Sequence, residues 1–128
     1  MSANGPQGFG PPGDVVTTVG VEHVRLSYDY LDRRDMDGYG SLFDAEAELR
    51  SPVAGVVRGR AGIESYQAER ADDGGRHVVE EVFSAPGCVV VVGRVTGGAR
   101  EVEFVDLFTL TEHGLLRSQK SFFFAPPA

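Results

Sequence analysis

The sequence reads as an α+β domain, and three observations carry that reading. In the first half, apolar residues recur three and four apart, which is the spacing of one helix face. Beyond Gly75 the period falls to two, which is the spacing of a half-buried strand. The strand segments are parted only by short stretches rich in Gly and Pro, a pattern of antiparallel hairpins rather than crossovers. Helices first and a strand meander afterwards place the helices against one face of a curved sheet.

Residues 1–13 are rich in Gly and Pro with a single Phe, too little apolar surface to offset ordering, and are expected to form a flexible tail. The domain then runs over residues 14–124, with 125–128 as a short C-terminal tail. From Asp14, a plausible N-cap, to Arg34, the positions Val21, Val24, Tyr28 and Leu31 form one stripe of a helix. Asp35 caps a second short helix whose inward residues are Met36, Tyr39, Leu42 and Phe43. Glu48 to Pro52 is a short strand ended by its proline. Arg60 to Ala71 has Ile63, Tyr66 and Gln67 at helical spacing and is stopped by Asp72-Asp73-Gly74-Gly75. Four strands follow, His77 to Phe83, Cys88 to Val95, Glu101 to Leu110 and Leu115 to Phe124, separated by Ala85-Pro86-Gly87, Gly97-Gly98 and Thr111-Glu112-His113-Gly114.

Composition narrows the function classes. At 128 residues there is one domain, large enough to bury about two-thirds of its surface. The 12 basic residues against 19 acidic ones leave a net charge of −7, which repels phosphate backbones and anionic lipids, so neither nucleic acid nor membrane is expected as a partner. The one cysteine, Cys88, can form neither an internal disulfide nor a thiolate metal cage, and no apolar run reaches a membrane span. A cytoplasmic location is the default reading.

The strand Glu101 to Leu110 is the most informative segment. Its alternation puts Val102, Phe104, Asp106, Phe108 and Leu110 on one face, so one carboxyl sits inside an apolar stripe. A hairpin loop with an even number of residues brings Arg117, Gln119, Ser121 and Phe123 onto the same face. An odd loop presents Leu116, Ser118, Lys120 and Phe122 instead. A carboxyl desolvated by Phe104 and Phe108 acquires a raised pKa and becomes a neutral donor or a base poised nearer neutrality; the alternative is a structural Asp satisfied by its neighbours.

His23, His77 and His113 share no metal-ligand spacing, and no metal or cofactor is expected. Of the three, His77 is the candidate acid or base, since a regular strand would give it Val79 and Phe83 as face partners; the alternative is a structural or exposed histidine at the strand end. Tyr28 and Tyr66 lie on helix faces turned to the sheet, where each either packs as core or offers its hydroxyl to a ligand oxygen. The outward set Val105 and Leu107, beside Leu116 and Phe122, suits a homodimer contact.

Three segments, YDYLDRRDMDGYGSLF (Tyr28 to Phe43), AELRSPVAGVVRGRAG (Ala47 to Gly62) and EFVDLF (Glu103 to Phe108) before the Gly114 hairpin, resemble the nuclear transport factor 2-like superfamily in its SnoaL-like and ketosteroid isomerase-like branch. With the order of helices and strands, the resemblance spans about residues 14–124. It implies a cone in which a strongly bent, mixed sheet wraps against three helices around an internal pocket. Isomerases of the branch use a helix tyrosine as donor, an aspartate before the first strand's proline as base, and a protonated strand aspartate as second donor. Here the first two positions fall on Ser27 and Ser51, and only Asp106 matches, so steroid-type isomerisation is not implied. SnoaL-like relatives cyclise and tailor aromatic polyketides without a cofactor through a carboxylate acid/base. The resemblance therefore implies a cofactor-free cyclase, isomerase or hydrolase of antibiotic-type natural-product biosynthesis. In that reading Asp106 is catalytic, and Tyr28, Tyr66, Phe104, Phe108, Arg117, Gln119, Ser121, Phe123 and His77 hold a hydrophobic ligand. The alternative is a non-catalytic binding or accessory protein of such a pathway.

Overall fold

The computed structural model describes residues 14–70, 75–98 and 100–124. The tails read at 1–13 and 125–128, and most of the Asp72-Asp73-Gly74-Gly75 stop, lie outside the described residues. The elements are α1 (Asp14–Arg33), α2 (Met36–Ser41), β1 (Phe43–Ser51), β2 (Gly55–Arg58), α3 (Arg60–Arg70), β3 (Arg76–Ala85), β4 (Cys88–Thr96), β5 (Val102–Leu110) and β6 (Leu116–Phe124). The strands form a six-stranded sheet in the order β2-β1-β6-β5-β4-β3. All neighbours are antiparallel except β1 and β6, which run parallel; β2, α3 and the strands β3 to β5 lie between them in sequence and supply the long crossover that a parallel pair needs. The α+β class and the helices of the N-terminal half stand as read.

Two elements differ from the sequence reading. β1 starts at Phe43 rather than Glu48; its first part, Asp44-Ala45-Glu46, has poor strand propensity and its pairing with β6 is interrupted between Phe43 and Glu48, so this part does not read as strand from sequence. Phe43 is therefore a strand residue, fully buried with its ring centroid 5.0 Å from that of Tyr39. β2 is a four-residue edge strand, too short to show a period. Asp35 does cap α2, accepting from the Gly38 amide at 2.9 Å, while Met36 is only half-buried.

α1 buries Thr17, Gly20, Val24, Ser27 and Tyr28 against the sheet. Gly20 permits the approach, since a Cβ there would overlap the Leu110 side chain. The core joins Val24, Tyr39, Phe43, Leu49 and Ile63 to Val89, Val91, Phe104, Phe108 and Leu116 from the strands.

The pairing shifts register at three places, between Phe43 and Glu48, Val79 and Glu81, and Thr109 and Leu110. Each shift bends the sheet and increases its twist, curling it over α1. At the second, Gly93 opposes Val79, and a Cβ on it would overlap the Val78 carbonyl oxygen and lie 2.9 Å from Phe104 Cζ.

These shifts decide which side chains face inward. In the β5–β6 hairpin Asp106 opposes Ser121, Phe108 opposes Gln119 and Thr109 opposes Ser118, but Leu110 then opposes Leu116. Arg117 is the extra residue of the bulge. Next to the loop the odd alternative holds, with Leu116 buried; beyond the bulge the even one holds, with Gln119 and Ser121 buried. Arg117 is consequently exposed and leaves the inward face, and Leu116 leaves the outward set. The β3 shift likewise turns Phe83 out, to 54% exposure, so it does not share the His77 face.

Candidate active site

A cavity of about 130 Å³ lies between α1, α3 and the concave face of the sheet. An apolar cavity of about 150 Å³ is enough to hold a benzene ring, so this one accepts roughly one ring. Tyr28 and Asp32 line it from α1, Tyr66 and Gln67 from α3, Leu49 and Ser51 from β1, His77 from β3, Phe104 and Asp106 from β5, and Gln119, Ser121 and Phe123 from β6. Arg34 and Arg70, both exposed, extend it outward, the Arg70 guanidinium resting 5.3 Å from the Tyr66 ring centroid.

Asp106 is the buried acid of this cavity, 4% exposed between Val91 and Ser121 in the ladder. The Tyr28 hydroxyl donates to its Oδ2 at 2.7 Å. Its Oδ1 is buried and has no hydrogen-bond partner among the described residues. Burial raises the Asp106 pKa above the ordinary carboxyl value; the Ser121 and Tyr28 hydroxyls, the His77 ring and the Gln119 amide offset this only in part. Burial, and then the charge of Asp106, raise the Tyr28 pKa well above that of a free phenol, so Tyr28 remains a donor. With Oδ2 accepting from Tyr28, the hydrogen of a neutral Asp106 belongs on Oδ1. The Gln119 amide donates to the Ser121 hydroxyl at 3.1 Å, which fixes both side chains beside the acid.

An aromatic cluster surrounds the acid. The Tyr28 ring centroid lies 5.2 Å from that of His77 and 5.6 Å from that of Phe104, and the His77 and Phe104 centroids lie 5.8 Å apart, edge to face. Phe108, read as a ligand contact, does not line the cavity; fully buried, it meets Tyr28 edge-on at 6.2 Å and supports it from behind. Arg117 is also absent from the lining, for the register reason given above. Ser27 is buried, but its hydroxyl donates to the Val24 carbonyl at 2.6 Å, so Tyr28, one residue on, is the α1 donor that reaches Asp106. Ser51 lines the cavity with its hydroxyl accepting from the Ala54 amide at 2.8 Å.

Asp32 is the functional candidate that sequence reasoning missed. It meets His77 across 45 residues, a proximity created by packing α1 on β3 and carried by no local pattern. The other histidines lie elsewhere: His23 Nδ1 is 2.8 Å from the Gly114 carbonyl oxygen, and His113 sits in the β5–β6 loop beside Glu112. Among the described residues no cluster of His, Cys, Asp and Glu could hold a metal ion, and no helix is long and apolar enough to cross a membrane.

A bent, unclosed mixed sheet folded over helices, with a polar-lined pocket between the layers, defines a nuclear transport factor 2-like protein. Among solved structures the chain is similar to a Methylobium petroleophilum protein of unknown function with a cystatin-like fold (TM-score 0.78, 16% identity, covering 93% of this chain and 82% of that one). It is also similar to an NTF-2-like protein of unknown function from Burkholderia xenovorans (TM-score 0.75, 14% identity, 87% of each chain). A third similar structure is SalBIII, described as an epoxide hydrolase/cyclase-like enzyme in pyran ring formation in the polyether salinomycin (TM-score 0.71, 20% identity, covering 82% of this chain and 90% of that one). The family model of the SnoaL-like domain matches residues 24–119, three quarters of the sequence, and the chain belongs to that family. No curated protein matches it.

Proposed function

We propose that this protein is a cofactor-free acid/base enzyme, a cyclase, isomerase or hydrolase that tailors a hydrophobic, polyketide-like natural product. The observation that carries the reading is Asp106: a carboxyl removed from water in a ring-sized cavity, its Oδ2 held by Tyr28 and its Oδ1 without a hydrogen-bond partner among the described residues. A carboxyl in that setting gives a hydrogen to a ligand oxygen on which negative charge develops, as an enolate or an opened epoxide requires. Tyr66, Gln119 and Ser121 supply further polar groups, while Phe104 and Phe123 supply apolar wall. The cavity size implies that one ring of the ligand enters and the rest lies toward Arg34 and Arg70. The similarity to an epoxide hydrolase/cyclase-like enzyme supports the same reaction range. Two copies associate, in this proposal, through the outer sheet face at Val105, Leu107 and Phe122.

The test is exchange of the α-hydrogens of 2-tetralone in D2O, followed by NMR against a protein-free control. Exchange that falls by about 100-fold in Asp106→Asn supports the reading. Saturable binding with no exchange above the control in either protein assigns the pocket to a carrier instead, a reading favoured by Ser27 and Ser51 at the two other isomerase positions.

A further inference from the structure

We propose that Asp32 and His77 form a proton-accepting dyad that works opposite Asp106 in the same cavity. The proposal rests on the acid/base reading of the site and divides the labour within it. His77 is clamped twice by one carboxylate: its backbone N–H donates to Asp32 Oδ2 at 3.0 Å and Oδ1 at 3.2 Å, and its ring Nδ1 lies 2.7 Å from Oδ1. A carboxylate only accepts, so in the neutral ring that the proposal requires Nδ1 carries the hydrogen and Nε2 the lone pair. Nε2 has no hydrogen-bond partner among the described residues, although the ring lines the cavity and packs against both Tyr28 and Phe104. The titratable groups facing the ring are Tyr28 and Asp32 from α1 and Asp106 from β5; β4 presents Val95 opposite it. A carboxylate behind Nδ1 fixes the tautomer and stabilises the imidazolium that forms when Nε2 takes a proton.

Tyr28 stands between the two groups, with its ring against His77 and its hydroxyl on Asp106. In a ketone ligand the α C–H bond breaks and its proton goes to Nε2. The C–H electron pair forms the enol double bond, the carbonyl π pair moves to oxygen, and Asp106 Oδ1 gives that oxygen its hydrogen. The products are an enol, an imidazolium paired with Asp32, and an ionised Asp106; returning both protons restores the resting site. His77 is a catalytic residue in this scheme and Asp32 a positioning residue.

The test uses 5-nitrobenzisoxazole, a flat and largely apolar probe whose elimination reads the base alone. The base takes the ring C–H proton, the C–H electron pair completes a nitrile, the N–O bond breaks, and its electron pair remains on the phenolate oxygen of a coloured product. Wild-type elimination is expected to fall by about 100-fold in His77→Gln and by about tenfold in Asp32→Asn, with partial recovery in Asp32→Glu. Nitrogen-15 NMR of the wild type is expected to find His77 hydrogen-bearing at Nδ1 and bare at Nε2, and Asp32→Asn to lose that preference. A rate that survives His77→Gln, a wild type no faster than imidazole buffer, or a hydrogen on Nε2 in the wild type overturns the dyad. If tetralone exchange depends on Asp106 while neither reaction depends on His77, the reading of the site stands and the dyad falls. If elimination depends on His77 while exchange ignores Asp106, the dyad stands and the role of Asp106 falls.

Discussion

Substituting Asp106 by Asn tests the central physical claim without any ligand, through the pH dependence of stability. Asn keeps the shape of the side chain and accepts the Tyr28 hydrogen, so packing is preserved. What it removes is ionisation. Burial raises the folded-state pKa of Asp106 above its unfolded value, so between the two pKa values the folded state binds more protons than the unfolded one. The sign follows directly. Below the unfolded pKa Asp106 is neutral in both states and exacts no ionisation penalty. Through the window from the unfolded to the folded pKa, stability falls as pH rises, by about 1.4 kcal/mol per pH unit, and above the folded pKa the loss is constant. The geometry makes the penalty substantial: at 4% exposure one carboxyl oxygen has a single donor and the other has none among the described residues. Urea denaturation of wild type and Asp106→Asn from about pH 4 to about pH 8 is the assay, because the difference between the two proteins cancels the titrating groups that are not coupled to Asp106. The two curves should lie close together at the acid end and part as pH rises, with the variant the more stable at neutral pH. A pH-independent difference, or a wild type that gains on the variant with rising pH, refutes the claim that Asp106 is held out of water.

Three other substitutions probe the frame around the acid. Tyr28→Phe deletes the hydrogen bond to Oδ2 and should destabilise the protein by about 1–3 kcal/mol in thermal or urea unfolding while slowing tetralone exchange. Gly93→Ala directs a methyl group at the Val78 carbonyl oxygen, which is backbone and cannot swing aside, so a loss of about 1–3 kcal/mol and a lower Tm are expected. Arg117→Ala, on the exposed bulge residue, should change stability by less than about 0.5 kcal/mol and leave ligand binding unaltered, as read by calorimetry.

Much of the frame was legible because it follows from local rules. The period of two across Val102 to Leu110 fixed which side chains share the Asp106 face, and Asp35 and the Gly-containing turns marked element ends. What escaped was decided by packing. A single extra residue in β6 sends Arg117 outward and Leu116 inward, yet restores Gln119 and Ser121 to the inner face; neither loop parity alone describes that hairpin. The same kind of shift in β3 removed Phe83 from the His77 face. Asp32 had no signal at all, because a carboxylate on a helix reads as solvated surface until the strand that carries its histidine lies against it. Phe108 kept its expected face but not its expected role, since Tyr28 stands between it and the cavity.

The bulges that defeat pattern reading are also what make a site possible. An ideal β5–β6 hairpin would keep Arg117 on the Asp106 face, where its charge would favour ionisation of the carboxyl that burial pushes toward its neutral form. Displacing that residue leaves amide and hydroxyl groups, Gln119 and Ser121, beside the acid, and these lower its pKa less than burial raises it. Asp32, reached from α1 rather than from the sheet, is a carboxylate with the His77 ring nitrogen 2.7 Å from its Oδ1. The fold thereby separates a carboxyl without a cationic side chain bonded to it from a carboxylate paired with a histidine, with one tyrosine between them. In the proposed scheme two chemically identical groups take opposite tasks from their surroundings, and because Tyr28 touches both Asp106 and His77, the effects of its substitution are expected not to add to theirs.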